Sequence, residues 1–341
     1  MNRLLVLIPL VLTLAACGEK SESAPGGGEL ERFTIVLDYF PNADHAPIYA
    51  AQASGEFARA GLDVRIVTPS DPAAPLRLLA AKRADLALTY EPELLLARDR
   101  GTNLVGVGAL VQKPLTTLMA IDGSGVKTVA DLRGKTVGTA GIPYQAAYLK
   151  TILKTAGVPE SSVKQVNVGF NLVPAMLAKK VDATLGAFFN YEGVDLAQRG
   201  KQPTILRMDK LGVPTYDELV FAARRTSLHH DEASRIRRFM QALARGAAQT
   251  RDHPDQAVDA LLKANDDLEE KLQTAAVSAT TPLFFPAEAK RPFGFQDLGA
   301  WQDYGRWMRA NGLVDADPHA EDAVTNEFLP GQGLAANTAE P

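Results

Sequence analysis

Cysteine is nearly absent from this chain: Cys17 is the only one in 341 residues. A single thiol excludes a disulfide framework within the chain and leaves no cysteine-ligated metal centre to build. Long runs of one charge sign are missing as well. The net charge is −4, and the 22% of charged residues are dispersed among 46% hydrophobic ones, so no basic stripe marks a nucleic-acid partner. The apolar stretch 4–14 is too short for a permanent membrane span, which takes roughly 18 residues or more. Neither a Ser/His/Asp set nor a His-x-x-x-His arrangement stands out, and the pair His229 and His230 reads as solvated side chains ahead of a helix. No internal repeat is visible.

The N-terminus does carry a signal. Met1 to Arg3 is positively charged, an apolar run follows, and Leu14, Ala15, Ala16 and Cys17 close it. This pattern reads as a signal peptide over 1–17 ending on a lipobox-like site. The mature chain is then expected to begin at a lipid-modified Cys17, exported to the periplasm or cell surface and anchored to a bacterial membrane. Residues 18–31, rich in Gly, Ser and Glu, are expected to form a flexible tether. Residues 331–341, small and polar, are expected to be a disordered tail.

The length between those ends argues for two lobes. The run Phe33 to Leu37 is strand-like and breaks into Asp38, Tyr39, Pro41, Asn42, Asp44 and His45 before a helical pattern over 46–60. Alternation predicts a strand over 62–67, a helix over 73–81 and a strand over 84–88 that ends in Thr89, Tyr90 and Glu91. A helix over 93–100 follows. The apolar runs 104–110 and 115–121 flank Gln112, Lys113 and Pro114 and read as a passage from one lobe to the other. A second β-α series comes next: a strand to Val137, a helix over 144–155, a strand over 163–168, a helix over 172–178 and a strand over 181–187 running into Phe188 to Glu192. A short strand over 205–208 precedes a return over 216–222. Beyond 231, helix formers dominate 232–250, 254–264, 268–280 and 295–311.

The expected division is 32–118 as the first part of lobe 1, 119–221 as lobe 2, and 222–330 as a second, helical part of lobe 1. The fold class is α/β, two lobes with mostly parallel sheets, a hinge of two crossings and a cleft between the lobes. Strand ends that carry aromatic and polar side chains mark the cleft, because such loops sit on a rigid scaffold and face a crevice.

Specific segments narrow this reading. LDYFPNADHAP (37–47), GLDV (61–64), AD (84–85), YEPELLLAR (90–98), NVGFNLVPA (167–175), VDA (181–183), NYE (190–192) and GVPTYDELV (212–220) together resemble the ThiY-like periplasmic binding proteins of ABC importers. The resemblance is dense over about 33–221, and the helical remainder is alike only in character. It implies a periplasmic binding protein fold of type II and a solute-binding lipoprotein for a thiamine pyrimidine precursor, of the formylaminopyrimidine or hydroxymethylpyrimidine type. It further implies a monomer without catalytic residues, cofactor, metal or nucleic acid, partnered by an ABC permease and ATPase.

An aminopyrimidine is a flat π-system with an exocyclic amine beside a ring nitrogen, so its site needs aromatic faces and a matched donor–acceptor pair. Tyr39 from the first lobe, and Phe188 or Tyr191 from the second, are expected to supply the faces. Glu192 is expected to accept from the amine and a protonated ring nitrogen. Asp38, Asn42, His45, Tyr90, Asn190, Tyr216 and Glu218 are expected to complete the polar shell. Simpler uses stand beside these: His45 as a backbone partner, Asp44 as a helix cap, Tyr216 as packing at the recrossing. One of Phe188 and Phe189 must face the sheet. The loop 138–141 is a candidate anion holder, although a glycine pair also serves a tight turn.

Two alternatives accompany that reading. The fungal hydroxymethylpyrimidine phosphate synthases of the wider superfamily use a lysine that binds pyridoxal phosphate, a histidine and a cysteine-rich stretch. Thr89 stands at the place of the lysine, the histidine would fall near Glu93, and 212–216 holds no cysteine, so catalysis is not expected. The other is a binding protein for another small solute, a sulfonate, nitrate or other nitrogen heterocycle; an anion binder should show arginine or lysine at the strand ends, where Asp38, Glu91 and Glu192 instead favour a cationic or amine-bearing solute.

Overall fold

The computed structural model describes residues 29–332 apart from 289 and 317–318. The leader, Cys17, most of the expected tether and nearly all of the expected tail lie outside the described residues. Glu31, placed by composition in the tether, already opens a strand, and the Gln332 amide still donates to the Leu329 carbonyl.

The first lobe starts with β1 (Glu31–Val36), whose apolar positions Phe33 and Ile35 turn inward. Next come α1 (Ala46–Ala53), α2 (Glu56–Arg59), β2 (Leu62–Val67), α3 (Ala74–Ala80), β3 (Leu86–Thr89), α4 (Glu91–Asp99) and β4 (Leu104–Val111). The single helix expected over 46–60 is two, because Gly55 takes φ +78° and turns the chain, a conformation open to glycine without a Cβ clash. The second lobe holds β5 (Thr116–Ala120), β6 (Thr136–Thr139), α5 (Pro143–Thr155), β7 (Lys164–Asn167), α6 (Leu172–Leu177), β8 (Ala183–Phe188), α7 (Glu192–Gln198) and β9 (Thr204–Arg207). The chain returns through β10 (Leu219–Arg224) and ends in α8 (His230–Asp252), α9 (Pro254–Ala264), α10 (Glu270–Thr280) and α11 (Leu298–Ala310). Among the described residues, no helix is long and apolar enough to cross a membrane.

The strands form two sheets of five, ordered β2-β1-β3-β10-β4 and β7-β6-β8-β5-β9. In the first, β1 lies parallel to β2 and β3, while β10 is antiparallel to β3 and β4. The second follows the same rule, with β6 parallel to β7 and β8 and β5 antiparallel to β8 and β9. Each sheet is therefore mixed but mostly parallel, four of its five strands running one way and one, β10 or β5, running against them. The antiparallel strands are the ones that arrive from the other lobe. Such a strand is not bound by the right-handed β-α-β crossover that makes its neighbours parallel. The sheet changes between Val111 and Thr116 and again between Arg207 and Leu219, so β5 lies wholly in the second sheet and β10 wholly in the first.

β3 and β4 are buried along their whole length, as strands covered on both faces must be. α8 seals one side through stacked rings, Phe239 lying 5.0 Å from Phe33 and 4.9 Å from Phe57. α8 and α9 pack against α1 of the first lobe. α10 and α11 also reach the second lobe: Gln273 bonds Tyr191, Gln198 bonds the Lys271 carbonyl, and the Tyr304 and Tyr148 hydroxyls meet.

Candidate ligand-binding cleft

β1 and β3 are parallel neighbours, so their carboxyl ends share one edge of the sheet. Past β1, Asn42 takes an extended backbone and caps a single turn, its Oδ1 accepting from the Asp44 amide at 2.7 Å. The Asn42 amide donates to His45 Nδ1 at 3.2 Å. That donation puts the ring proton on Nε2, which donates to Asp38 Oδ1 at 2.9 Å. The Tyr90 hydroxyl, at the end of β3, donates to Asp38 Oδ2 at 2.8 Å. Asp38 therefore ties the two strand ends together.

The second lobe answers with the end of β8. Glu192 lies in the first turn of α7, and its Oε2 accepts from the Phe188 amide at 2.7 Å. Burial pushes the Glu192 carboxyl up to about 7, with Asp195 and Asp38 adding to the push and backbone donors opposing it. Asn190 is fully buried and donates to Asp44 Oδ1 at 2.5 Å across the lobes and to Thr280 Oγ1 at 2.7 Å. Asp44 is lifted to about 7 by its burial, against the hydrogen bond from Asn190.

Aromatic groups fill the space between. Tyr39 meets Phe170 edge-on at 4.6 Å, and its hydroxyl donates to the Phe170 carbonyl at 2.9 Å, joining the lobes. Tyr90 stands edge-on to Tyr144 at 5.9 Å and to Phe188 at 6.4 Å. A cavity of about 30 Å³ remains among them. Three carboxyl groups line it, those of Asp38, Asp44 and Glu192, and no lysine or arginine does among the described residues.

Of the residues expected here, Asp38, Tyr39, Asn42, Tyr90, Phe188, Tyr191 and Glu192 line the cavity. Phe188 is the member of its pair that faces the cleft, whereas Phe189 lies under the Arg207 guanidinium at 3.8 Å. His45 and Asn190 stand one bond behind the lining, orienting Asp38 and Asp44. Tyr216 and Glu218 do not belong to the cleft. Glu218 Oε2 accepts from the Leu115 and Thr116 amides at 2.7 and 2.8 Å and from the Tyr216 hydroxyl at 3.1 Å. Both side chains thus serve the junction of the two crossings, where backbone N–H groups entering β5 need acceptors.

Sequence reasoning missed Asp44 as lining, and it missed Tyr144, Gln145, Phe170 and Leu172. Phe170 and Leu172 lay within the 167–175 segment that carried the resemblance, and Tyr144 and Gln145 follow the end of β6, a neighbour of β8. Gln145 Oε1 accepts from the Ala140 amide at 2.9 Å, and the Gly141 amide turns to Thr139 Oγ1 at 3.4 Å. Those N–H groups are committed, so the loop 138–141 does not present them to an anion. Gly186, at φ +124°, makes room for this arrangement: a Cβ there would fall 2.5 Å from Gln145 Nε2.

The chain is similar to known proteins at two levels, family and fold. A family profile described as NMT1/THI5 like matches residues 42–257. A formylaminopyrimidine-binding protein of Halalkalibacterium halodurans is 32% identical over 326 residues, 95% of this chain and 98% of its own length. A putative thiamine biosynthesis protein of Haemophilus influenzae is 34% identical over 285 residues, 83% of this chain and 88% of the relative. Among solved structures, the alkanesulfonate-binding protein SsuA of Xanthomonas axonopodis pv. citri superposes with a TM-score of 0.68 at 18% identity, covering 87% of this chain and 99% of that one. The fold is that of the periplasmic binding proteins.

Proposed function

The chain belongs to the NMT1/THI5-like family, and on that premise we propose that it is the solute-binding lipoprotein of an ABC importer, capturing a thiamine pyrimidine precursor in the inter-lobe cleft. Cys17 carries the lipid anchor in this reading, and the protein is exported to the periplasm or cell surface. The observation that carries the ligand class is the lining: three carboxyl groups and several aromatic rings, without a cation among the described residues. Buried carboxyls without a cationic partner favour a solute that brings positive charge or many donors.

Glu192 suits an aminopyrimidine edge because a carboxyl held near 7 serves as acceptor or donor at neutral pH. Ionised, it pairs with the exocyclic amine and a protonated ring nitrogen; protonated, it donates to the ring nitrogen and accepts from the amine. Tyr39 and Phe170 must part for the ring to enter, since the cavity of about 30 Å³ holds no more than a water or two. Hinge opening supplies that motion.

The sulfonate reading finds little support in a lining of acids, with the Ala140 and Gly141 amides already engaged. The synthase reading meets Thr89, whose hydroxyl donates to Glu93 Oε2 at 2.7 Å.

A thermal-shift panel of aminopyrimidines, thiamine, taurine and nitrate tests the proposal. A ligand at 100 times its Kd adds about 2.7 kcal/mol of stability, and only the aminopyrimidines are expected to do so. Stabilisation by sulfonate or nitrate alone would overturn the pyrimidine reading. Glu192→Gln is expected to weaken aminopyrimidine binding by about 1.5–3 kcal/mol, the range for a hydrogen bond to a charged group, with Tm close to that of the parent.

A further inference from the structure

Two carboxamides line the cleft cavity, those of Asn42 and Gln145. Asn42 is engaged at both ends, its Oδ1 accepting from the Asp44 amide at 2.7 Å and its Nδ2 donating to the Phe40 carbonyl at 3.1 Å. Gln145 is engaged at one.

The Ala140 amide donates to Gln145 Oε1 at 2.9 Å. Only the oxygen of a carboxamide accepts such a bond, so the orientation of the group is fixed and its NH2 end is turned the other way. That Nε2 bonds nothing among the described residues and keeps accessible surface. Gln145 is 2% exposed and stands in the lining beside Gly186. The surface that its Nε2 keeps therefore opens on the cavity.

Room for this NH2 group is cut into β8. β5 pairs Thr117 with Ala187 and Leu118 with Leu185, so Gly186 has no partner and the strand bulges there. Gly186 takes φ +124°, and a Cβ on it would fall 2.5 Å from Gln145 Nε2. A glycine inside a strand often marks a bulge or a close approach to the backbone. Here one glycine serves both.

The other polar groups of the lining do not repeat this donor. Asp38, Asp44 and Glu192 accept when ionised, and the Tyr144 and Tyr191 hydroxyls can turn to give or to take. The Gln145 NH2 can only give. An ammonium meets a repelling group at that point of the wall, whereas a carbonyl oxygen meets a partner.

We propose that Gln145 is a specificity-determining residue of the cleft, its NH2 donating to the carbonyl oxygen of a formamide on the ligand, so that a formylated aminopyrimidine is taken and the free amine refused. This rests on the pyrimidine reading of the cleft and divides the work within it. Glu192 holds the amine edge of the ring, and Gln145 reads the substituent.

Titration calorimetry at neutral pH, with formylaminopyrimidine and with its deformylated amine, gives the ratio of the two dissociation constants. The parent protein is expected to favour the formyl compound by about tenfold or more, because a site built to bond a group discriminates against an analogue without it. Gln145→Met keeps the length of the side chain, removes the donor and should bring the ratio close to one. Gln145→Glu keeps an oxygen for the Ala140 amide, puts an acceptor in place of the donor and should turn the ratio toward the amine. Equal binding of the two compounds by the parent, or a ratio that neither variant moves, would overturn the role of Gln145 and leave the pyrimidine reading standing. Absence of binding to either compound would overturn both.

Discussion

The two jaws of the cleft are held by different kinds of bond. In the first, the bonds stay within one lobe: Asn42 to Asp44, Asn42 to His45, and His45 back to Asp38 span two, three and seven residues, and Tyr90 reaches Asp38 from a neighbouring strand across 52. In the second, Glu192 bonds four residues back, but Asn190 reaches Asp44 across 146 residues and Thr280 across 90, and Tyr191 meets Gln273 across 82. One jaw is a unit organised within its own lobe, around the segment 38–45. The other takes its place once α10 has docked and the lobes have met. A hinged binder gains from that division, because a preorganised half lowers the ordering cost of binding and a conditional half can open and close.

The largest blow to this contrast falls on the first jaw. Asp38→Ala leaves the His45 Nε2–H and the Tyr90 hydroxyl buried without their acceptor, and urea unfolding should show a loss of about 3–5 kcal/mol. A loss below about 1 kcal/mol, less than one ordinary hydrogen bond, would show that the jaw does not hang on Asp38.

Between the jaws, pH provides a second handle. Burial lifts Asp44 and Glu192 to about 7 in the fold, above their unfolded values near 4. The folded state therefore keeps protons that the unfolded chain has released. Their stabilising contribution is full below about pH 4, declines as pH rises and is gone above about pH 7, with a slope of up to about 1.4 kcal/mol per pH unit for each group. Asp44→Asn should remove its share of that slope in urea melts taken across the window. An unchanged slope would mean that Asp44 ionises in the fold as it does in the unfolded chain.

The smallest effect sharpens the contrast. Asn190→Ala removes the donor to Asp44 and Thr280 and should cost about 1–2 kcal/mol. The His45 ring signals in NMR should stay where they are, because its partners Asp38 and Asn42 are local. A clear shift of those signals would mean that the first jaw depends on the second.

The same division separates what was legible beforehand from what was not. β2 and α9 lie at the residues expected, since alternation and a proline at a helix start act over a few residues. Within the helix expected over 46–60, Ile48, Ala51 and Phe57 keep helical spacing, and only the backbone at Gly55 reveals the break. α7 went unread because seven residues, EGVDLAQ, carry neither a side-chain cap nor a clear period. Glu218 resembled a strand-end ligand, and its bonds to Leu115 and Thr116 lie 103 and 102 residues away, where no local pattern reports them.

The order of residues along the chain determined by itself that several strands end in aromatic and acidic side chains, because local periodicity marks both a strand and its stop. Which of those ends converge was decided by the sheet order and the two crossings. They bring Asn190 to Asp44 and Phe170 to Tyr39, and they carry Tyr216 and Glu218 away to the hinge. Convergence of this kind depends on contacts between residues far apart in sequence, and it comes into being only when the lobes pack.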